Sequence, residues 1–219
     1  SYVSFGSHGI FSKDQSDLIF TVILRLTGIP VGEASSPYAP TGDFSDTSFY
    51  LEKNEEEYPV TEMIARLLVS SISPACLKGD DSIISSLECF MESTETFFHP
   101  SNEGPWTTML AQLASYLTDG FVSRWNREQS GELDLPKGRT INPELKKRFV
   151  SLLKEATFTG LFSKNSEVSD YYCGVLQGLA FLEPDLVLPG ALQRFYPSLQ
   201  GLVEVHRTTP SLRGLHMIA

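Results

Sequence analysis

The stretch Phe97–Thr107, FFHPSNEGPWT, decides how the chain is read. It sets a His, a Ser, an Asn and a Glu between two prolines and three aromatics, so it is either a reactive loop or a corner between helices. A nucleophile needs a base within hydrogen-bond reach and a third group to orient that base. His99 and Ser101 are close in sequence, but no Gly-x-Ser-x-Gly elbow surrounds the serine. A corner accounts for more of the residues. Phe97 and Phe98 end one apolar stripe, and Pro100 disfavours helix at His99. Ser101 and Asn102 can take up loose backbone groups. Gly104 permits an unusual turn, Pro105 restarts a helix where a missing N–H costs nothing, and Trp106 opens the next stripe. Residues His99, Pro100, Ser101, Asn102, Gly104, Pro105 and Trp106 are thus expected to form a helix-break-helix corner. Trp106 should be buried in it, and His99 should be a hydrogen-bonding residue rather than an acid or base.

Helical spacing continues on both sides. Trp106, Leu110, Leu113, Ala114, Leu117, Phe121 and Trp125 fall on one stripe, as do Ile83, Leu87, Phe90, Met91, Thr94 and Phe98 before the corner. Similar stripes run through Met63, Ile64, Leu67, Leu68 and Ile72, and through Leu145, Phe149, Leu152, Leu153 and Ala156. Two more follow Val168, Tyr171, Tyr172, Val175, Leu176 and Leu179, then Leu188, Ala191, Leu192, Phe195, Tyr196 and Leu199. Residues 18–26 are apolar nearly all round, which predicts a buried helix, with a strand as the alternative. Ser12-x-x-Gln15 has capping-box spacing, and Asn142-Pro143 reads as an N-cap followed by a first-turn proline. Seven helices result, and an eighth is expected to open at Pro210. No strand series or hairpin signal accompanies them. The fold class is therefore all-α: an α-solenoid of HEAT-like antiparallel helix pairs, about four pairs of the usual ~40–47 residues. GIFSK at Gly9–Lys13 recurs as GLFSK at Gly160–Lys164, each before a helix. The Pro-bearing stretches SPACL, from Ser73, and EPDLVLPGAL, from Glu183, read as elbows between helices.

One segment interrupts the pattern. Residues 29–59 carry four prolines, two glycines and the cluster Glu52, Glu55, Glu56 and Glu57, and are read as a flexible acidic insertion within a single 1–219 unit. A second polar connection spans 129–140. With 27 Asp+Glu against 17 Lys+Arg, the net charge of -10 repels phosphate backbones, so no direct nucleic-acid binding is expected. The run Lys146-Lys147-Arg148 is taken as a solvated helix face. Cys76, Cys89 and Cys173 lack metal or redox spacing and are taken as free, buried thiols of a reducing compartment. No phosphate loop, dinucleotide fingerprint or metal-ligating His pair occurs, so neither a cofactor nor a catalytic or metal site is expected. No run is long and apolar enough for a membrane span, and no signal peptide is recognisable. The chain starts without Met and stops at Met217-Ile218-Ala219, the pattern expected of a piece of a longer chain.

The segment Ser86–Leu117, SLECFMESTETFFHPSNEGPWTTMLAQLASYL, resembles the middle region of the large HEAT-repeat proteasome activators, the Blm family. FFHPSNEGPWT is its most specific part, and the likeness extends more weakly from about Tyr58 through Leu199. The resemblance implies a slice of a long α-solenoid that curls over the proteasome core particle, binds it without ATP and favours opening of its gate. It also implies residence in nucleus and cytoplasm, links to DNA repair and acetylated-histone turnover, and hence histones as partners. The family opens the gate with a C-terminal hydrophobic-Tyr-X tripeptide, which Met217-Ile218-Ala219 does not match, and no segment here matches the family's acetyl-lysine-binding region. A generic HEAT or armadillo adaptor for another protein's helix or tail is the alternative, and an all-α enzyme a distant third.

Overall fold

The computed structural model describes residues 11–29, 60–74, 83–136, 138–201 and 205–219. Eight α-helices form among them: α1 (Lys13–Thr27), α2 (Val60–Ser71), α3 (Ile83–Ser93), α4 (Trp106–Gln129), α5 (Pro143–Gly160), α6 (Ser166–Leu182), α7 (Pro184–Gly201) and α8 (Val205–Ile218). A short 3-10 turn, Glu95–Phe98, sits between α3 and α4, and no strand occurs among the described residues.

Local chemistry fixes where several helices begin. The Ser12 side chain accepts from Gln15 N at 3.3 Å while the Gln15 amide oxygen accepts from Ser12 N at 2.9 Å, a reciprocal cap on α1. Asn142 Oδ1 accepts from Leu145 N at 2.8 Å, with Pro143 in the first turn of α5. Asn165 caps α6 through Glu167 N at 3.0 Å.

The helices stack in two rows. α1 packs on α3, α3 on α5 and α5 on α7; α2 packs on α4, α4 on α6 and α6 on α8. Contacts of α1 with α4, α5 with α6, α6 with α7 and α7 with α8 join the rows. This alternation is the α-solenoid: each helix touches its counterparts one layer before and after, and the apolar faces of both rows meet between them. At the centre, Phe121 of α4 and Phe149 of α5 are fully buried and stacked, their ring centroids 3.9 Å apart at 6°. Each such ring contributes ~1.5–3 kcal/mol by leaving water. The α4–α6 approach is close because Gly178 faces Thr118, where a Cβ would lie 2.4 Å from Thr118 Cγ2.

The side of each stack is tied by polar links. Along the even row, Thr61 Oγ1 donates to Gln112 Oε1 at 3.4 Å, Gln112 Nε2 donates to Tyr171 OH at 3.2 Å, and Arg213 pairs with Asp170. Along the odd row, Arg148 pairs bidentately with Glu88 and Arg194 pairs with Glu155 at 3.0 Å. Exposed pairs of this kind contribute ~0.2–1 kcal/mol, so burial holds the rows and the links set their register.

Several expectations are corrected. Residues 18–26 are helical but not buried all round: Phe20 and Ile23 face the core, while Leu18 is 65% and Val22 45% exposed. α2 is rotated from its expected phase. Thr61, Ala65, Leu68 and Val69 are buried, Ile64 is partly covered, and Met63 and Leu67 are exposed. In α7 the buried line is Val187, Ala191 and Phe195, and Tyr196 is exposed. α8 starts at Val205, so Pro210 lies inside it rather than at its opening. Glu183–Pro184 is an elbow as expected, but Pro189 of the same stretch is inside α7. The SPACL elbow from Ala75 onward and the acidic insertion from Pro30 onward lie outside the described residues, while Ile29 belongs to the core.

Of the basic run, Lys147 alone is exposed as expected. Lys146 reaches Glu183 at 3.0 Å and stacks on Trp125 at 4.7 Å, and Arg148 crosses to α3. Gly9 and Ile10 of GIFSK lie outside the described residues, and the helices that follow GIFSK and GLFSK, α1 and α6, belong to different rows. No helix of the described residues is long and apolar enough to cross a membrane.

Cys173 is buried, but Cys89 is exposed on α3, against the expectation that all the thiols are buried. Burial pushes the Cys173 thiol up to about 11 from 9.0, partly offset by its hydrogen bond with Ser169. The neighbouring Tyr172 hydroxyl is raised by burial as well. A raised thiol favours the neutral native form, so its contribution to stability is complete below pH 9.0 and is lost as pH rises through about 11. At pH 8, Ellman's reagent should therefore label native Cys89 rapidly and Cys173 only in denaturant. Cys89→Ser should remove one rapid equivalent and Cys173→Ser none. Rapid native labelling of Cys173 would contradict its burial.

Candidate functional site

Two constellations stand out, one at each end of α4. The first is the corner. His99 adopts an extended backbone (φ -73°, ψ 133°), as a residue before proline must. Its imidazole is turned onto the chain: Ser101 N donates to His99 Nδ1 at 3.1 Å and Asn102 N to His99 O at 2.8 Å. Asn102 Nδ2 donates to Thr96 O at 3.1 Å, and Trp106 Nε1 donates to Asn102 O at 3.2 Å. Gly104 N donates to Thr107 Oγ1 at 3.0 Å, and Thr107 N returns a bond to Gly104 O at 3.0 Å. Pro105 is the N-cap residue of α4.

The aromatics complete the corner. Phe97 and Trp106 meet edge to face, with centroids 5.3 Å apart at 82°. The Trp106 indole lies across Gly104, where an added Cβ would fall 2.4 Å from the ring. Gly104 is therefore required by close approach of the ring. Trp106 is only half-buried, contrary to the expectation of full burial, because its indole covers the corner rather than entering the core. Ser101 and Pro105 are exposed, and His99 faces solvent on its other side. These residues are thus brought together as a closed hydrogen-bonded turn in which His99 Nδ1 is occupied by the backbone. No group of three or more His, Cys, Asp or Glu suited to a metal ion occurs among the described residues.

The second constellation was missed by the sequence reading. Arg124, near the end of α4, directs NH1 at Val69 O (2.5 Å) and Ile72 O (2.7 Å) and NH2 at Arg139 O (2.8 Å). Its Nε donates to Glu128 Oε1 at 2.7 Å, and Glu128 Oε2 accepts from Ile141 N at 2.5 Å. The two side chains are 10% and 1% exposed. One guanidinium thus satisfies the C-terminal carbonyls of α2, favoured also by the helix dipole, and fastens the connection between α4 and α5. A charged pair at i, i+4 in a polar helix end reads as ordinary surface in sequence. Only the spatial neighbours reveal its burial. Beside it, Lys146 sits between the Trp125 ring and Glu183.

What this arrangement can do is mechanical: it holds angles between helices. Removing Arg124 takes the guanidinium from the carbonyls of Val69, Ile72 and Arg139 and leaves the buried Glu128 without its counter-charge, held only by Ile141 N. Arg124→Met is expected to cost ~3–5 kcal/mol in urea denaturation, since breaking a buried pair strands its other half. A loss below ~1 kcal/mol would show that the pair is dispensable. Gly104→Ala should cost ~1–3 kcal/mol because the ring must move. The Trp106 fluorescence maximum should shift with it, and an unchanged spectrum and stability would refute the close approach.

Comparison with known proteins adds an independent line. The family model described as "Proteasome activator complex subunit 4, mid HEAT repeats region" matches residues 87–219. The match includes the stretch after Gly201, which the sequence resemblance left aside. Proteasome activator subunit 4 of Arabidopsis thaliana is 28% identical over 198 residues, covering 90% of this chain and 10% of its own length. Proteasome activator complex subunit 4A of Danio rerio is 28% identical over 198 residues, covering 89% and 10%. The Homo sapiens subunit 4 is 30% identical over 143 residues, covering 63% and 8%. The chain thus spans about a tenth of the length of the curated relatives it matches.

Proposed function

This chain belongs to the proteasome activator complex subunit 4 family through its mid HEAT-repeat region, and from that premise we propose that it is a non-enzymatic wall segment of an ATP-independent proteasome activator. The observation that carries this reading is the two-row helical stack, which coincides with the matched HEAT-repeat region from α3 to α8. A stack of this kind supplies curvature and stiffness rather than reactive groups. In the proposed role, the whole protein caps the proteasome core particle and favours opening of its gate, and this segment fixes the spacing between its neighbours.

The corner and the Arg124 clamp support that role because both lock helix angles at the two ends of α4. His99, Pro100, Ser101, Asn102, Gly104, Pro105 and Trp106 are in this view structural, not catalytic. Nuclear and cytoplasmic residence, a part in DNA repair and histones as partners belong to the same proposal and rest on the family resemblance alone. A generic HEAT adaptor would share the stack but not the core particle.

The test uses the whole protein from which this chain derives. Mixed with purified core particle and no ATP, it should co-elute on size exclusion and raise fluorogenic-peptide hydrolysis several-fold. A protein that elutes separately and leaves hydrolysis unchanged would favour the adaptor.

A further inference from the structure

Among the described helices, prolines beyond the first turn occur in α7 and α8 alone: Pro189 and Pro197 in α7, Pro210 in α8. Proline has no N–H, so α7 forgoes two of its main-chain bonds and α8 one, and each ring presses on the carbonyl four residues back. Neither Pro189 nor Pro197 is needed for packing, since both are exposed while Val187, Ala191 and Phe195 carry the buried face. Side chains reinforce other carbonyls of the pair: Arg194 NH1 donates to Gly190 O, Ser198 Oγ to Arg194 O and Thr208 Oγ1 to Ser198 O, each at 3.2 Å. The charged links from this pair to the earlier helices, Arg194–Glu155 and Arg213–Asp170, lie at the surface, where such pairs hold little. The earlier layers differ. α2, α4 and the connection to α5 share the buried Arg124–Glu128 clamp, and α7–α8 has no buried ion pair of that kind among the described residues, although its glycines approach neighbours closely, as Gly178 does, Gly190 at Phe158 and Gly214 at Phe195.

We propose that α7–α8 is a compliant joint in the stack, a helix pair that opens locally and together before α1–α6 and lets the angle beyond α6 vary. The inference stands apart from core-particle binding, because it follows from backbone bonding within this chain. The opposite end of the stack supplies a control. α1 and α2 are the outermost helices of the two rows at that end and contain no internal proline, although they pack on α3 and α4 rather than on each other. End fraying would loosen the helices at both ends, the less packed α1 and α2 at least as much as α7 and α8, whereas proline would loosen only α7 and α8.

Hydrogen–deuterium exchange with mass spectrometry tests it on the full 219-residue chain. Peptides within 188–201 and 207–218 should exchange at least ~10-fold faster than those of α4–α6, and faster than those of α1 and α2. Pro189→Ala and Pro197→Ala, singly and together, restore an N–H at exposed positions and should slow exchange across α7 about tenfold in the double variant, leaving α1–α6 unchanged. Circular dichroism checks that each variant keeps its helical content. Protection of α7 equal to that of α4–α6 in the unaltered chain would overturn the proposal. So would unchanged exchange in both single variants and the double.

Discussion

A helix that ends inside a protein leaves its last carbonyls without partners, and α2 ends against α4. The guanidinium of Arg124 resolves this. Its planar fork reaches one carbonyl of α2 and one just beyond its end, one of the α4–α5 connection and one carboxylate at once. A lysine has a single point of charge and could not span that geometry. Because Glu128 in turn holds Ile141 N, the start of α5 is set by the same pair. Phe149 and its stack on Phe121 then follow, since α5 must enter at that height for the rings to overlap.

The two ends of α4 use different chemistry for the same purpose. At its start, neutral bonds among His99, Asn102, Gly104 and Thr107 close a turn roofed by Phe97 and Trp106. At its end, a buried ion pair ties three separate pieces of chain. The longest helix of the described chain is therefore pinned twice, and α2 and α6 pack along the length between. Charged residues elsewhere do lesser work. Lys146, Arg148 and Arg194 stitch neighbouring helices at partly exposed positions.

Much of this could be read from the sequence where a single periodicity dominates. In α3, α4, α5 and α6 the large apolar residues recur at helical spacing, and most of them are buried. Caps at Ser12 and Asn142 were also readable, because the side chain and its target amide lie three residues apart. Phase failed where the apolar face is broad. In α2 only one side of the expected stripe faces inward: Leu68 is buried and Ile64 partly covered, while Met63 and Leu67 are exposed and Thr61, Ala65 and Val69 complete the inner face. Pro210 misled because a proline usually marks a helix start, whereas here it lies within α8. The Arg124 clamp was invisible because its acceptors come from residues 69, 72 and 139, and separation in sequence hides such a cluster. The corner's hydrogen bonds were legible as types of residue, but the half-burial of Trp106 depends on where its ring comes to rest.

The row pattern bears on how such a chain is made. From α3 onward, each helix docks on one that has already been synthesised, two places earlier. A growing solenoid can thus complete layer after layer as it leaves the ribosome, in contrast to a sheet whose partner strand is still untranslated. That order of assembly keeps the exposed apolar surface at any moment to roughly a single layer.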